Sequence, residues 1–186
     1  DKTTNNFDFV ELYNPTDSLI TIGDYSLRIL KEGATSTTSL ANFSSTSTIA
    51  AKSFFLIGFD NYKNSTSTVV DISRSYSLPT ENTATIILYD GSSLVDEINY
   101  NPANIASGQS MERKSFVNNQ CATASSSNEF LGNGCDTDSA DDFEIRQTFN
   151  PQNSSNFPEP RTSPTTPQNF TIQFSTSTPV LNQNIS

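Results

Sequence analysis

The apolar positions from Phe7 to Tyr13 recur with a period of two. Val10 and Leu12 share one face and Phe7, Phe9, Glu11 and Tyr13 the other, which predicts a strand with something packed on both sides. Asn14-Pro15 ends it, because proline removes a ladder donor and pushes the preceding residue to an extended or turn geometry. A short strand follows over 19–22. Gly23-Asp24 then turns the chain into 25–30, where Tyr25, Leu27 and Ile29 alternate with Ser26 and Arg28. Residues 31–53 read as a Ser/Thr-rich surface excursion with one weak strand. The run Phe54-Phe55-Leu56-Ile57-Gly58-Phe59 is the most apolar in the chain and predicts a central strand covered on both faces. Further strands are expected over 68–72 and 84–89. Asp90-Gly91 reads as the centre of a type I′ hairpin turn into a strand over 94–100, which Asn101-Pro102 stops. Residues 110–116 and 143–146 supply two more strands, and 118–141 reads as loop.

Elements this short and this closely spaced form a meander, so the expected class is all-β and antiparallel over residues 1–153. Beyond it, Pro158, Pro160, Pro164 and Pro167 mark an extended, semi-rigid linker over 154–167. Phe170, Ile172 and Phe174 then alternate with Asn169, Thr171, Gln173 and Ser175 within a final segment, 168–186. This is a strand pattern with no partner in the residues that remain. A single strand is not stable alone in water, so it must join a sheet of this domain, of a following domain, or of another molecule.

Seven segments in order resemble the lamin tail domain family in its bacterial form. They are Phe9-Val10-Glu11-Leu12-Tyr13-Asn14-Pro15, Gly23-Asp24-Tyr25-Ser26-Leu27, Phe54-Phe55-Leu56-Ile57, Ala84 to Gly91, Val95-Asp96 to Tyr100, Ser110-Met111-Glu112-Arg113, and Asp142-Phe143 to Asn153. The resemblance implies an immunoglobulin-like β-sandwich used as an accessory module of surface and secreted proteins. Two positions depart from the family pattern. Tyr25 stands where the family often has Trp, and the chain starts too late to contain the family's usual first strand. The Pro-rich segment and the Phe170 strand resemble the opening of a fibronectin type III-like module over about 20 residues.

Composition narrows the function. Only 33% of residues are hydrophobic, yet 13 Phe and 6 Tyr argue for pleated, half-buried surfaces and against disorder. The net charge of −10 repels phosphate backbones and anionic lipid, so nucleic acid is not an expected partner. No signal-like segment and no long apolar run occurs. The chain therefore reads as a mature or excised piece of a secreted protein, with no membrane insertion. Cys121 and Cys135 lie in a Ser/Asn/Gly-rich stretch that does not suit a buried thiol. A disulfide formed in an oxidising compartment is expected, against two exposed thiols in a reducing one, and it would close a loop worth roughly 3 kcal/mol.

With no histidine, Ser-His-Asp and Cys-His nucleophile pairs and His-bearing zinc sites are excluded. No catalytic residue is assigned, and only a deep pocket lined by two carboxylates would revive an enzyme. Asn133, Asp136, Asp138, Asp141 and Asp142 form an oxygen-rich loop. It suits Ca²⁺ coordination, although solvated turn capping by the aspartates is the reading to prefer. Counted from Asp136, Asp141 and Gln147 hold the sixth and twelfth places, so the loop is not an EF-hand. Asp96 and Glu11 read as structural carboxylates, the first satisfied by backbone or hydroxyl donors, the second by Arg28 or Arg113 across the sheet. Asn-X-Ser/Thr triplets at Asn42, Asn64, Asn153, Asn169 and Asn184 matter only in a glycosylating source. The reading that results is a non-catalytic extracellular structural or adhesion module, with head-to-tail self-association open to it through donation of the Phe170, Ile172, Phe174 strand. The competing reading is a calcium-dependent ligand-binding accessory domain.

Overall fold

Most of the segments with period-two spacing form strands. The computed structural model describes residues 8–59, 62, 69–106, 108–123 and 128–160. In chain order the strands begin with β1 (Phe9–Tyr13), β2 (Ile20–Thr21), β3 (Tyr25–Lys31), β4 (Thr38–Asn42) and β5 (Thr48–Ile49). Next come β6 (Phe54–Phe59), β7 (Ile72–Arg74), β8 (Ala84–Asp90) and β9 (Ser93–Tyr100). Four short strands close the order, β10 (Ser110–Arg113), β11 (Ser115–Val117), β12 (Gln120–Ala122) and β13 (Phe143–Arg146). Short 3-10 turns punctuate them, and no α-helix occurs among the described residues.

Two sheets stack face to face. One has the order β1-β6-β7, the other β4-β3-β8-β9. The core between them takes Leu27 and Ile29 from β3, Ile86 from β8, and Phe55, Ile57 and Phe59 from β6, with Val10 and Leu12 packed against it. Each such side chain stabilises the domain by about 1.5–3 kcal/mol when fully buried. Phe43 meets Phe55 edge-on at 5.7 Å, tying the end of β4 to the opposite sheet. The fold is thus the expected all-β sandwich, with one departure from an antiparallel pattern: β7 runs parallel to β6.

The first strand is half-buried with groups packed on both sides, as expected, and the most apolar strand is covered on both faces. All six residues of β6 are buried. On its outer face Phe54 stacks on Tyr13 at 5.0 Å, and Phe9 lies between Tyr62 and Phe149 at 5.6 and 5.9 Å. That outer face is covered by Tyr62, Gly132, Phe149 and residues 150–160. Asn14, 1% exposed, explains the Asn-Pro stop. Its Nδ2 donates to the carbonyls of Ser18, Ile49 and Ala50, and its Oδ1 accepts from Thr16, so one side chain fastens the end of β1 to the β2–β5 pair.

Five expectations need correction. Residues 31–53 are not a surface excursion with one strand. They contain β4 and β5, because an edge strand needs only the small apolar islands Leu40-Ala41 and Ile49 to fill one face. The strand expected over 68–72 lies at 72–74, since Asp71 bonds both backbone groups of its neighbour, Leu56 N to Asp71 Oδ2 and Asp71 N to Leu56 O, and so sets the register. The hairpin turn is centred on Gly91-Ser92: Asp90 pairs with Ser93, and of these residues Gly91 alone has positive φ, as a type II′ turn requires. The loop 118–141 contains β12, joined to β11 by Asn118-Asn119, both at positive φ, the type I′ chemistry sought one hairpin too early. Finally, the linker does not start at 154. Ser154 bonds Asp71, and Glu159 is 1% exposed, so the domain extends to Pro160. The segment 168–186, with Phe170, Ile172 and Phe174, lies outside the described residues.

Candidate functional site

The outer edge of β1 is left without a neighbouring strand among the described residues, and a cleft of about 360 Å³ opens beside it. Val10 and Leu12 from β1, Ile98 and Tyr100 from β9, and Met111 and Phe143 give it an apolar lining. Glu11, Asp96, Glu112, Arg113 and Asn133 line it as well. This is the pocket with two carboxylates that an enzyme would need, and the partners of its charged groups decide what they can do.

Arg113, on β10, gathers the acidic groups. Its Nη2 contacts both oxygens of Asp96 at 2.5 and 2.6 Å, and its Nη1 donates to Cys135 O at 2.8 Å and to Asp136 at 3.1 Å. Asp142 lies 3.6 Å from the same guanidinium, whose flat face covers the Phe143 ring at 4.4 Å. Asp96 is therefore held by an ion pair with Arg113 together with a backbone hydrogen bond from Glu97, the second being one of the donor kinds expected for it.

Asp142 is 2% exposed. Burial alone pushes its carboxyl upward, but hydrogen bonds from Thr137 Oγ1 and N, from Ser139 N, and the nearby Arg113 outweigh it and hold the group below the usual carboxylate range. Beside it Cys121 and Cys135 form the expected disulfide, with Cα atoms 5.2 Å apart. Cys135 Sγ sits 3.3 Å from Asp142 Oδ1.

The five candidate calcium ligands do not converge. Asp142 caps the turn that follows Ser139, Asp136 pairs with Arg113, and Asn133 donates to Glu112 and to Arg113 O. Asp138 and Asp141 are exposed. Among the described residues, the only three metal-ligating groups with donor atoms within 4.8 Å of one another are Cys121, Cys135 and Asp142, and there both sulfurs are committed to the disulfide. Arg113 already supplies the positive charge that Asp136 and Asp142 share.

Glu11 does not meet Arg28 or Arg113. Its carboxylate accepts the backbone N–H of Gln152. Gln152 Nε2 in turn donates to Glu159 at 2.9 Å, and Tyr13 Oη donates to Glu159 O at 2.6 Å. Gly132 N donates to the Glu159 carboxylate at 3.2 Å. A Cβ at Gly132 would fall 2.3 Å from Tyr13 Oη, and its φ of +79° favours glycine, so no larger residue suits that place. Residues 150–160 thus form a strap over the outer face of β1.

Burial pushes Glu11 up to about 8. The Gln152 N–H opposes the shift, and Glu112 and Glu159 add to it. Glu112 is raised by burial too, against the pull of Asn133 and Arg146. The folded chain therefore keeps a proton on Glu11 that the unfolded chain gives up near pH 4.5. This contribution to stability is fully present below about pH 4.5, falls as pH rises towards 8, and is flat above. Glu11→Gln, which keeps an acceptor but cannot ionise, is expected to flatten that slope. Urea midpoints at pH 5 and pH 8 check it, and an equal change in midpoint for both proteins would refute the role of Glu11.

No protein-family model matches the chain, and no curated protein matches it. Among the described residues no helix is long and apolar enough to cross a membrane.

Proposed function

We propose that this chain is a non-catalytic structural or adhesion module of a surface or secreted protein. One observation carries the reading: the charged groups of its cleft are spent on holding the fold together. Glu11 anchors the strap, Glu112 holds Asn133, and Asp96 is locked to Arg113. A general acid or base needs a carboxyl within hydrogen-bond reach of a substrate, and these point at their own backbone and side chains. The disulfide supports an oxidising compartment, where small secreted domains are stapled in this way. The segment order that resembles lamin tail domains supports the same class.

A panel of p-nitrophenyl glycosides and esters tests the proposal. No turnover above buffer is expected. Turnover that disappears in the Glu11→Gln, Glu112→Gln double variant would show that the cleft is catalytic.

A further inference from the structure

The open edge of β1 has a defined chemistry. Phe59 N donates to Asp8 O and Asn14 N to Ser53 O, so the backbone groups of residues 8, 10, 12 and 14 face β6. By the alternation of an antiparallel ladder, the N–H and C=O of Phe9, Glu11 and Tyr13 face the other way, off the sheet. Beside them lies the apolar cleft, between Val10 and Leu12 on one side and Ile98 and Tyr100 on the other. An extended segment that paired with β1 would satisfy this row of groups, and every second side chain would enter the cleft.

We infer that residues 169–175 of the same chain fill this edge, running antiparallel to β1 with Phe170, Ile172 and Phe174 turned into the cleft. The pattern of the segment fits. Apolar residues alternate with Asn169, Thr171, Gln173 and Ser175, and no charged residue occurs between 168 and 186, as suits a site beside a buried carboxyl. Reach also fits. The described chain ends next to Tyr13, whose Oη bonds Glu159 O, so a segment continuing from there towards Phe9 runs opposite to β1. Eight residues, 161–168, separate the two. Even as a stiff proline-rich spacer they extend about 25 Å, more than the roughly 17 Å length of β1. A tether this short holds the segment at a local concentration on the order of millimolar, which favours its own edge over that of a second molecule. The same contact made between copies would instead link them head to tail.

Amide hydrogen exchange on the full chain, paired with sedimentation, tests the inference. In the wild-type chain the amides of Phe9, Glu11 and Tyr13 are expected to be protected at monomer mass. In the I172D/F174D chain they should exchange on the order of 100-fold faster. The amides of Val10 and Leu12, bonded to β6, should not change, which shows that the sandwich is still folded. Equal exchange of the outer amides in both chains would overturn the inference. Protection that appears only as the mass rises with concentration would overturn it too, in favour of a second copy as donor. Neither result bears on catalysis, so the proposed function stands or falls separately.

Discussion

Replacing Arg113 by methionine is expected to lower the stability of this domain by about 3 kcal/mol, roughly 6–12 °C in Tm for a domain of this size. Methionine keeps much of the apolar stem but leaves Asp142 without its nearest positive charge and Cys135 O without its donor. Asp142 is 2% exposed and cannot be rehydrated in place, which is why removal of one partner of a buried pair costs more than the pair itself contributes. Lysine should recover only part of the loss, because its single ammonium nitrogen cannot replace the two that serve Asp96 on one side and Cys135 O and Asp136 on the other while a flat face covers the Phe143 ring. Urea melts of the three proteins at one pH decide the matter. A methionine variant within about 0.5 kcal/mol of wild type would show that the cluster is decoration, since surface changes fall in that range.

Removal of the disulfide is expected to cost a similar amount, about 3 kcal/mol for a loop of this length. The loop it closes begins in the middle of β12, which pairs with β11 through three residues only, too little to hold a two-stranded ribbon in water. C121A/C135A, or reduction followed by alkylation, should therefore shift the urea midpoint down. Exchange should rise first at residues 115–122, before the sandwich core. An unchanged midpoint after reduction would mean that packing around Asp142 and Arg113 holds this region by itself.

Most of the sandwich was legible in the sequence. The strands at 9–13, 25–31, 84–90, 93–100 and 143–146 follow the period of two, because a half-buried strand places apolar side chains on alternate positions, and 54–59 was legible as an unbroken apolar run covered on both faces. β4 and β5 were legible only as one weak strand. They carry one or two apolar residues each in a Ser/Thr background, and their burial comes from what lies across the core, Phe55 among them. Asp71 was missed for the same reason. Nothing local marks it as the residue that aligns β7 with β6.

The candidate site divides in the same way. Phe9, Glu11 and Tyr13 were correctly placed on one covered face, but the cover, residues 150–160, read as the start of a linker because of its prolines. Tyr13 meets Glu159 O across 146 residues of chain, and no local pattern encodes that meeting. Asp136 and Asp142 stood out as an acidic loop, whereas Arg113 gave no signal as the residue they surround.

By itself the sequence determined that the chain is built of strands, which side chains share a face, and that histidine chemistry is absent. These follow from backbone geometry and composition, which act within a few residues. Only the tertiary structure decided what each face meets: a strap over β1, an arginine among three aspartates, and an edge left open beside an apolar cleft. The spacing of side chains fixes their direction, but partners drawn from distant parts of the chain are chosen by packing, where every buried charge must find its counterpart.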